Sequence, residues 1–372
     1  MNPLVSITMA AYNSEAFIGE AIGSALRQTE QSWELIVVDD GSTDATARIA
    51  VGFKDPRVRL IQQENAGPAA ARNTALSQSR GKYLAFLDAD DLLLPGHLAC
   101  ATAHLEQRPE LEAVHTDGYF TDRSGKPWKP LSSARRGPFE GDMFEQIIRA
   151  SDAIGPLGTV VMRADAVFNR GLAFDPGITI GEDWDFLARF GEQNRIGWLD
   201  VRMYLYRLHF ANISRSVDHA RRRDSLARCR MKAINLRRFG ECSLATREHV
   251  FYDLLIDLLG QRPQDQNAVL GEPEFQRLPA ACRAKLFRLM AVRRLLACGN
   301  DEFVIDWLRE SAELNPWDVR GGAISLMYRL SPGLCRCAVR ARRLGRNDDM
   351  LSAAFELLAE QAQTRPNEIA RN

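Results

Sequence analysis

In "YLAFLDADDLLLP" an apolar run from Tyr83 ends in three carboxylates within four positions, Asp88, Asp90 and Asp91, before a leucine run closed by Pro95. Hard carboxylate oxygens gathered this way can hold a divalent cation, or they can form a solvated turn. A second acidic step, Asp39–Asp40, closes the apolar run of "ELIVVDDGSTD" at a Gly-Ser turn. A carboxylate there can accept a hydrogen bond from a ring N–H, or it can serve the turn itself. The third cluster, "GEDWDF", brings Glu182 and Asp183 together. One of these can take a proton from a hydroxyl as a bond forms, and acids also suit a helix start, where the macrodipole favours them. Both can hold at once. His209, in "YRLHFANIS", is one of six histidines. A lone histidine is commonly an ordinary partly buried residue, yet neutral imidazole is also a metal ligand.

Residues this far apart need a scaffold that gathers them. Leu4–Met9 is a short apolar, β-branched run, and "ELIVVDDGS", "VRLIQQ" and "KYLAFLD" read as three further strands. Between them, Ser14–Gln28 has helical spacing with Ser14 as its N-cap. "DATARIAVGF" and "GPAAARNTALSQS" are also helical, the second with Pro68 in its first turn. Strands alternating with helices predict an α/β, doubly wound, mostly parallel sheet with helices on both faces. Ligands in such sheets sit beyond the carboxyl ends of the strands, where the first two acidic clusters fall. From about Arg221 strand-like runs disappear, and "REHVFYDLLIDLLG" and "AKLFRLMAVRRLLACG" are helical throughout. "FVIDWLRESAELNPW" is similar to a helical-hairpin repeat, but one weak copy does not establish a repeat. The expected organisation is therefore a domain over 1–215 and an all-helical domain of unknown role over 216–372.

Six ordered stretches carry a resemblance to a known family: "VSITMAAYN", "ELIVVDDGSTDAT", "NAGPAAARNTAL", "YLAFLDADD", "GEDWDF" and "YRLHFANIS". Over roughly residues 3–215 the chain resembles the family 2 glycosyltransferases, nucleotide-sugar-dependent enzymes of the GT-A type fold. The resemblance implies that Ala10, Tyr12, Asp39, Arg72 and Asp88 serve the nucleotide. Asp39 would partner the base, Tyr12 would pack against it, and Asp88 would face the ribose or the metal sphere. A uracil-like imide suits an aspartate acceptor and an arginine donor, which favours a UDP-sugar. Arg72 could otherwise be a snorkelling surface arginine. Asp90, with Asp88 and His209, would hold Mn²⁺ or Mg²⁺. Asp91 could simply cap the segment that leads to Pro95. Asp183 would be the base of an inverting transfer, and Glu182 would orient the acceptor or the neighbouring backbone. "AIGPLGTVVM", upstream, could pass close to the donor sugar. The implied acceptor is a glycan or a lipid-linked sugar in surface-polysaccharide assembly.

Other classes fit less well. A nicotinamide or flavin enzyme needs a Gly-x-Gly-x-x-Gly turn after the first strand, and "TMAAYNSEAF" has no glycine there. An EF-hand loop fails at its glycine and terminal glutamate positions. A metal-dependent phosphohydrolase would leave "GEDWDF" and His209 without a shared task. A catalytically silent nucleotide-sugar-binding or scaffold protein is the rival from another class.

At 372 residues, with 45% hydrophobic and 26% charged side chains, the composition is that of a globular protein of two domains. Seven scattered cysteines, an N-terminus unlike a signal peptide and no apolar run near 20 residues point to the cytoplasm. Zero net charge hides an asymmetry: residues 1–215 hold 22 basic and 28 acidic groups, residues 216–372 hold 26 and 20. Arginines cluster at Arg221–Arg223 and in "RCAVRARRLGR". Such a half could make peripheral contact with the inner face of an anionic membrane, or its arginines could be a solvated helix face. No nucleic-acid partner is expected.

Overall fold

The computed structural model describes residues 2–134, 137–209, 218–259, 263–298 and 302–343. Its first hundred residues alternate as expected: β1 (Val5–Ala11), α1 (Ile18–Leu26), β2 (Trp33–Asp39), α2 (Thr46–Gly52), β3 (Val58–Gln62), α3 (Pro68–Ser77) and β4 (Tyr83–Phe86). These four strands are parallel, in the order β3-β2-β1-β4. All seven residues of β2 are buried, because helices cover both sides. Leu35 and Val37 point into one core with Ile18, Ile22 and Leu98, while Ile36 and Val38 meet Ala71 and Ala75 of α3 on the other face. The period of two along β2 thus becomes two separate hydrophobic layers.

Pro68 opens α3 as expected, but Ser14 does not cap α1. Its N–H donates to Thr46 Oγ1 at 2.7 Å and its hydroxyl to the Tyr12 carbonyl at 3.1 Å. Its own carbonyl accepts from Phe17 and Ile18 N–H, both at 2.9 Å, so the helix starts only at Ile18. A bond to a residue far along the chain holds Ser14 in a turn.

Beyond β4 the sheet becomes mixed. β5 (Leu92–Leu93), β6 (Ala113–Thr121), β7 (Pro127–Pro130), β8 (Val160–Arg163) and β9 (Ile196–Arg207) extend it in the order β4-β8-β6-β9-β5, with β7 on β6. β8 is antiparallel to both β4 and β6, whereas β6 and β9 are parallel. Helices α4 (His97–Gln107), α5 (Phe144–Arg149), α6 (Ala164–Phe168) and α7 (Glu182–Gly191) lie between these strands in the chain.

Residues 210–217 of the chain, including Phe210–Ser214 of the last motif and Arg215, lie outside the described residues. Helices follow: α8 (His219–Ile234), α9 (Leu244–Asp257), α10 (Pro263–Gly271), α11 (Pro273–Gln276), α12 (Ala280–Cys298), α13 (Glu302–Leu314), α14 (Val319–Leu330) and α15 (Pro332–Arg343). By compactness the chain divides into Met1–Val250 and Phe251–Asn372. The boundary expected after residue 215 and this division are different boundaries. Lys232 of α8 reaches Asp175 at 3.0 Å and Asp185 at 2.8 Å, and Arg238 reaches Asp142 at 2.7 Å, so α8 is built into the sheet-bearing unit. The second unit has its own core of Phe251, Phe275, Leu286, Trp307 and Met327. Among the described residues no helix is long and apolar enough to cross a membrane.

Candidate active site

At the carboxyl end of the parallel strands, Ala11 pairs with Asp39 and the two following turns interlock. Asn13 adopts a positive φ of 46° and donates its N–H to Ser42 Oγ at 2.9 Å. Its side-chain oxygen accepts from the Thr43 N–H at 2.9 Å. Gly41 has φ +73°, and a Cβ there would stand 2.9 Å from the Asn65 nitrogen, so the Gly-Ser turn admits no larger residue without a shift. Asp40 is a structural acid. It accepts from Gln63 Nε2 at 2.7 Å, Ala66 N–H at 3.0 Å and Gly67 N–H at 2.8 Å, which pins the loop leading into α3. Asp39 is equally buried, but its bonds are longer: Ser42 N–H at 3.2 Å and Gln62 Nε2 at 3.3 Å. Ala10 is half-buried on β1, and Tyr12 is 50% exposed just past its end. The strand ends thus place Ala10, Tyr12 and Asp39 at one corner of the sheet.

Arg72 joins two of the acidic motifs. From α3 it donates through Nη2 to Asp88 Oδ1 at 2.8 Å and through Nη1 to Glu182 Oε1 at 2.5 Å. Burial opposes its charge, yet Asp88 and Glu182 more than reverse that and hold its pKa above the ordinary arginine value. Burial pushes Glu182 up to about 6, against the pull of Arg72, and the Asp183 charge adds to the rise. Asp183, partly buried, is also raised by burial; Arg72 and the Trp184 N–H, donating to Oδ1 at 2.7 Å, resist this. Glu182 and Asp183 are therefore carboxyls poised to bind or release a proton closer to neutrality than ordinary ones. They open α7, as the helix-start reading allows.

The neighbour of Arg72 has a task that no sequence signal announced. Asn73 donates through Nδ2 to the Phe174 carbonyl at 2.8 Å and accepts the Phe174 N–H at 2.7 Å. Phe174 stacks on Phe186 of α7 at 4.3 Å and 11°. Consecutive residues of α3 thus grip both the loop before α7 and the first residue of α7.

The acids after β4 have separate environments. Asp90 Oδ2 lies 2.9 Å from His209 Nε2, and His209 rests on the Phe17 ring at 4.6 Å. Burial and the Asp88 charge raise the Asp90 pKa, and His209 counters them. Asp88 turns to Arg72. Two carboxylates and an imidazole are a donor set suited to Mn²⁺ or Mg²⁺. Here Asp90 and His209 meet each other, and among the described residues no group of three His, Cys, Asp or Glu side chains is gathered to hold a metal. Asp91 points inward and is fully buried, accepting from Tyr204 Oη and from the Arg207 N–H, each at 2.7 Å. It is a tie to β9 rather than a cap for the segment leading to Pro95. Gly158, in "AIGPLGTVVM", permits this tie, because a Cβ on it would overlap the Tyr204 ring.

The Glycosyl transferase family 2 profile matches residues 6–166. The glycosyltransferase EpsJ of Bacillus subtilis is 35% identical over 213 residues, which is 56% of this chain and 62% of that protein. The succinoglycan biosynthesis protein ExoO of Rhizobium meliloti is 34% identical over 230 residues, 58% of this chain and 65% of ExoO. The putative glycosyltransferase EpsE of B. subtilis is 35% identical over 211 residues, 55% of this chain and 73% of EpsE. The chain thus spans somewhat under two thirds of the length of EpsJ and ExoO. In fold it is similar to S. aureus TarS 1-349 in complex with UDP-GlcNAc, with a TM-score of 0.56 at 19% identity, over 88% of this chain and 92% of TarS 1-349.

Proposed function

The chain belongs to glycosyl transferase family 2, and from that premise we propose that it is a metal-dependent, inverting enzyme moving a sugar from a UDP-sugar to a glycan or lipid-linked acceptor. The observation that carries this reading is the Arg72 guanidinium, which holds Asp88 from the end of β4 and Glu182 from the start of α7 at one point. The acids read as serving donor and acceptor are thereby joined beyond the carboxyl end of β4. Succinoglycan biosynthesis by ExoO supports a role in surface-polysaccharide assembly, and the UDP-GlcNAc of the TarS complex supports a UDP-sugar donor.

In this reading Asp39 accepts the imide N–H of the base and Tyr12 packs on its ring. Asp183 takes the proton of the acceptor hydroxyl while that oxygen attacks the anomeric carbon. The bond from that carbon to the diphosphate breaks on the opposite face, its electron pair leaves with UDP, and the configuration inverts. Glu182, fixed by Arg72, orients the acceptor. A divalent cation, when bound, offsets charge on the diphosphate, and Asp90, Asp88 and His209 are the residues that would hold it. Transfer chemistry belongs to residues 1–215. Residues 216–372 bring the enzyme to the inner face of a membrane, a role supported by their basic excess and by exposed Leu326, Leu330 and Leu334. Of the basic stretch that suggested this role, Leu344 and Arg346 lie outside the described residues, as do the side chains of Arg342 and Arg343.

Thermal shift with UDP, with and without Mn²⁺, tests the site. The parent should gain a few kcal/mol when UDP greatly exceeds its dissociation constant and Mn²⁺ is present. Asp90→Ala should melt like the parent alone yet lose the Mn²⁺ dependence. A variant whose Mn²⁺ titration matches the parent removes Asp90 from the metal site.

A further inference from the structure

The helical unit that begins at Phe251 contains a cavity of about 370 Å³ lined by residues of that unit. Its volume falls in the range of small-molecule sites, about 300–1,000 Å³. Leu289, Val292 and Leu296 of α12, Ile324 and Met327 of α14 and Val339 of α15 form its walls. A space lined this way holds water poorly and favours hydrocarbon.

Three arginines line the same cavity, and their charges are not balanced within it. Arg288 pairs with Asp318. Arg293 is half-buried and donates through Nε and Nη2 to the neutral Tyr252 hydroxyl at 3.2 and 2.9 Å. Arg320 has no acidic partner among the described residues. Burial, and after it the nearby Arg320 charge, hold the Arg288 pKa below its ordinary value. Among the described residues, one acid against three guanidiniums leaves two positive charges beside an apolar hollow.

We propose that this cavity binds an aliphatic phosphate, its chain against the leucine, valine and methionine side chains and its head between Arg293 and Arg320. A phosphate monoester carries about −1.5 to −2 charge near neutral pH, which matches the two unbalanced cations. Guanidinium forks also suit phosphate oxygens better than a single point charge does. The source is a membrane-resident lipid phosphate, since its long chain would be drawn from a bilayer into an equally apolar space. Binding here is independent of the glycosyl-transfer reading.

Calorimetric titration of the full chain with dodecyl phosphate, below its micelle concentration, tests the proposal. Saturable one-to-one binding is expected, at least about tenfold tighter than dodecanol, with inorganic phosphate far weaker still. Arg320→Gln, at an exposed position, and Arg293→Gln should each weaken it by about tenfold. Met327→Trp, which fills the hollow, should abolish it. Equal affinity for dodecanol and dodecyl phosphate overturns the head site, and dodecyl phosphate binding unchanged in Arg320→Gln and Arg293→Gln does the same. Phosphatidylcholine vesicles doped with a prenyl phosphate should pellet the parent but not Met327→Trp. Pelleting of neither overturns the membrane source. UDP binding measured on the same preparations separates failure of this cavity from failure of the catalytic reading.

Discussion

Replacing Arg72 by methionine would leave Glu182, Asp88 and Asp183 without their shared cation while keeping an unbranched side chain in place. Glu182 sits at about 6 with Arg72 present, above the 4.5 of an ordinary glutamate. A group raised in this way favours the fold fully below pH 4.5 and costs stability as pH rises through its folded pKa. In the parent that loss is about 2 kcal/mol, because each tenfold change in proton affinity is worth about 1.36 kcal/mol. An adjacent opposite charge lowers the pKa of a carboxyl by about 1–3, so its removal should carry Glu182 to about 7–9. The variant should then go on losing stability above pH 6, where the parent has levelled off. The gap between them from this group should be near zero at pH 5 and reach about 1–4 kcal/mol by pH 9. Asp183, which Arg72 also holds down, adds to the gap in the same direction. Lost packing of the arginine itself contributes an offset that does not vary with pH, so the slope is what matters. Urea unfolding followed by tryptophan fluorescence would measure it at fixed ionic strength from pH 5 to 9. A gap that stays constant across that range would refute the coupling.

Asp183→Asn should leave UDP affinity unchanged and slow transfer by about 10² to 10⁴-fold, since an amide cannot take the acceptor proton. Retained configuration in the product, or near-normal turnover, places the base elsewhere. His97 is fully buried, neither ring nitrogen has a hydrogen-bond partner among the described residues, and burial holds its pKa at about 4. Stability it contributes above pH 6.5 should therefore fall by about 3 kcal/mol as pH drops through 4. His97→Leu should flatten this acid limb in unfolding scans, and an unchanged limb assigns the acid sensitivity to other groups. Gly158→Ala should cost about 1–3 kcal/mol through overlap with the Tyr204 ring. Tyr204→Ala in the same chain should cancel most of that overlap, and simple additivity in a double-mutant cycle would exclude the contact.

The strand–helix alternation of β1 to β4 was legible because its signals are local: apolar runs, Pro68 at a helix start, acids at strand ends. Ser14 misled because its N–H is claimed by Thr46, 32 positions away, and such competition leaves no trace in helical spacing. β6 and β9 escaped notice for a related reason. β6 buries His115, Thr116 and Asp117, polar residues that do not read as a core strand until their partners are known. In the site, residue types were informative where chemistry is intrinsic to them, and Asp90 and His209 do meet across 119 positions. The partners of Arg72 were not legible. On an alanine-rich helix an arginine looks like a surface group, and the glutamate that buries it lies 110 residues further on. Asp91 was likewise unreadable, since nothing in "DADD" tells which acid turns inward.

That inward turn matters to anyone who makes an inactive control. Asp91 holds Tyr204 and the Arg207 backbone, and His209 follows two residues later. A variant stripped of every acid in "DADD" would fall silent partly because the end of β9 had lost its anchor, and its silence would report on architecture. A control meant to be inert yet intact has to spare Asp91 and change Asp90 alone.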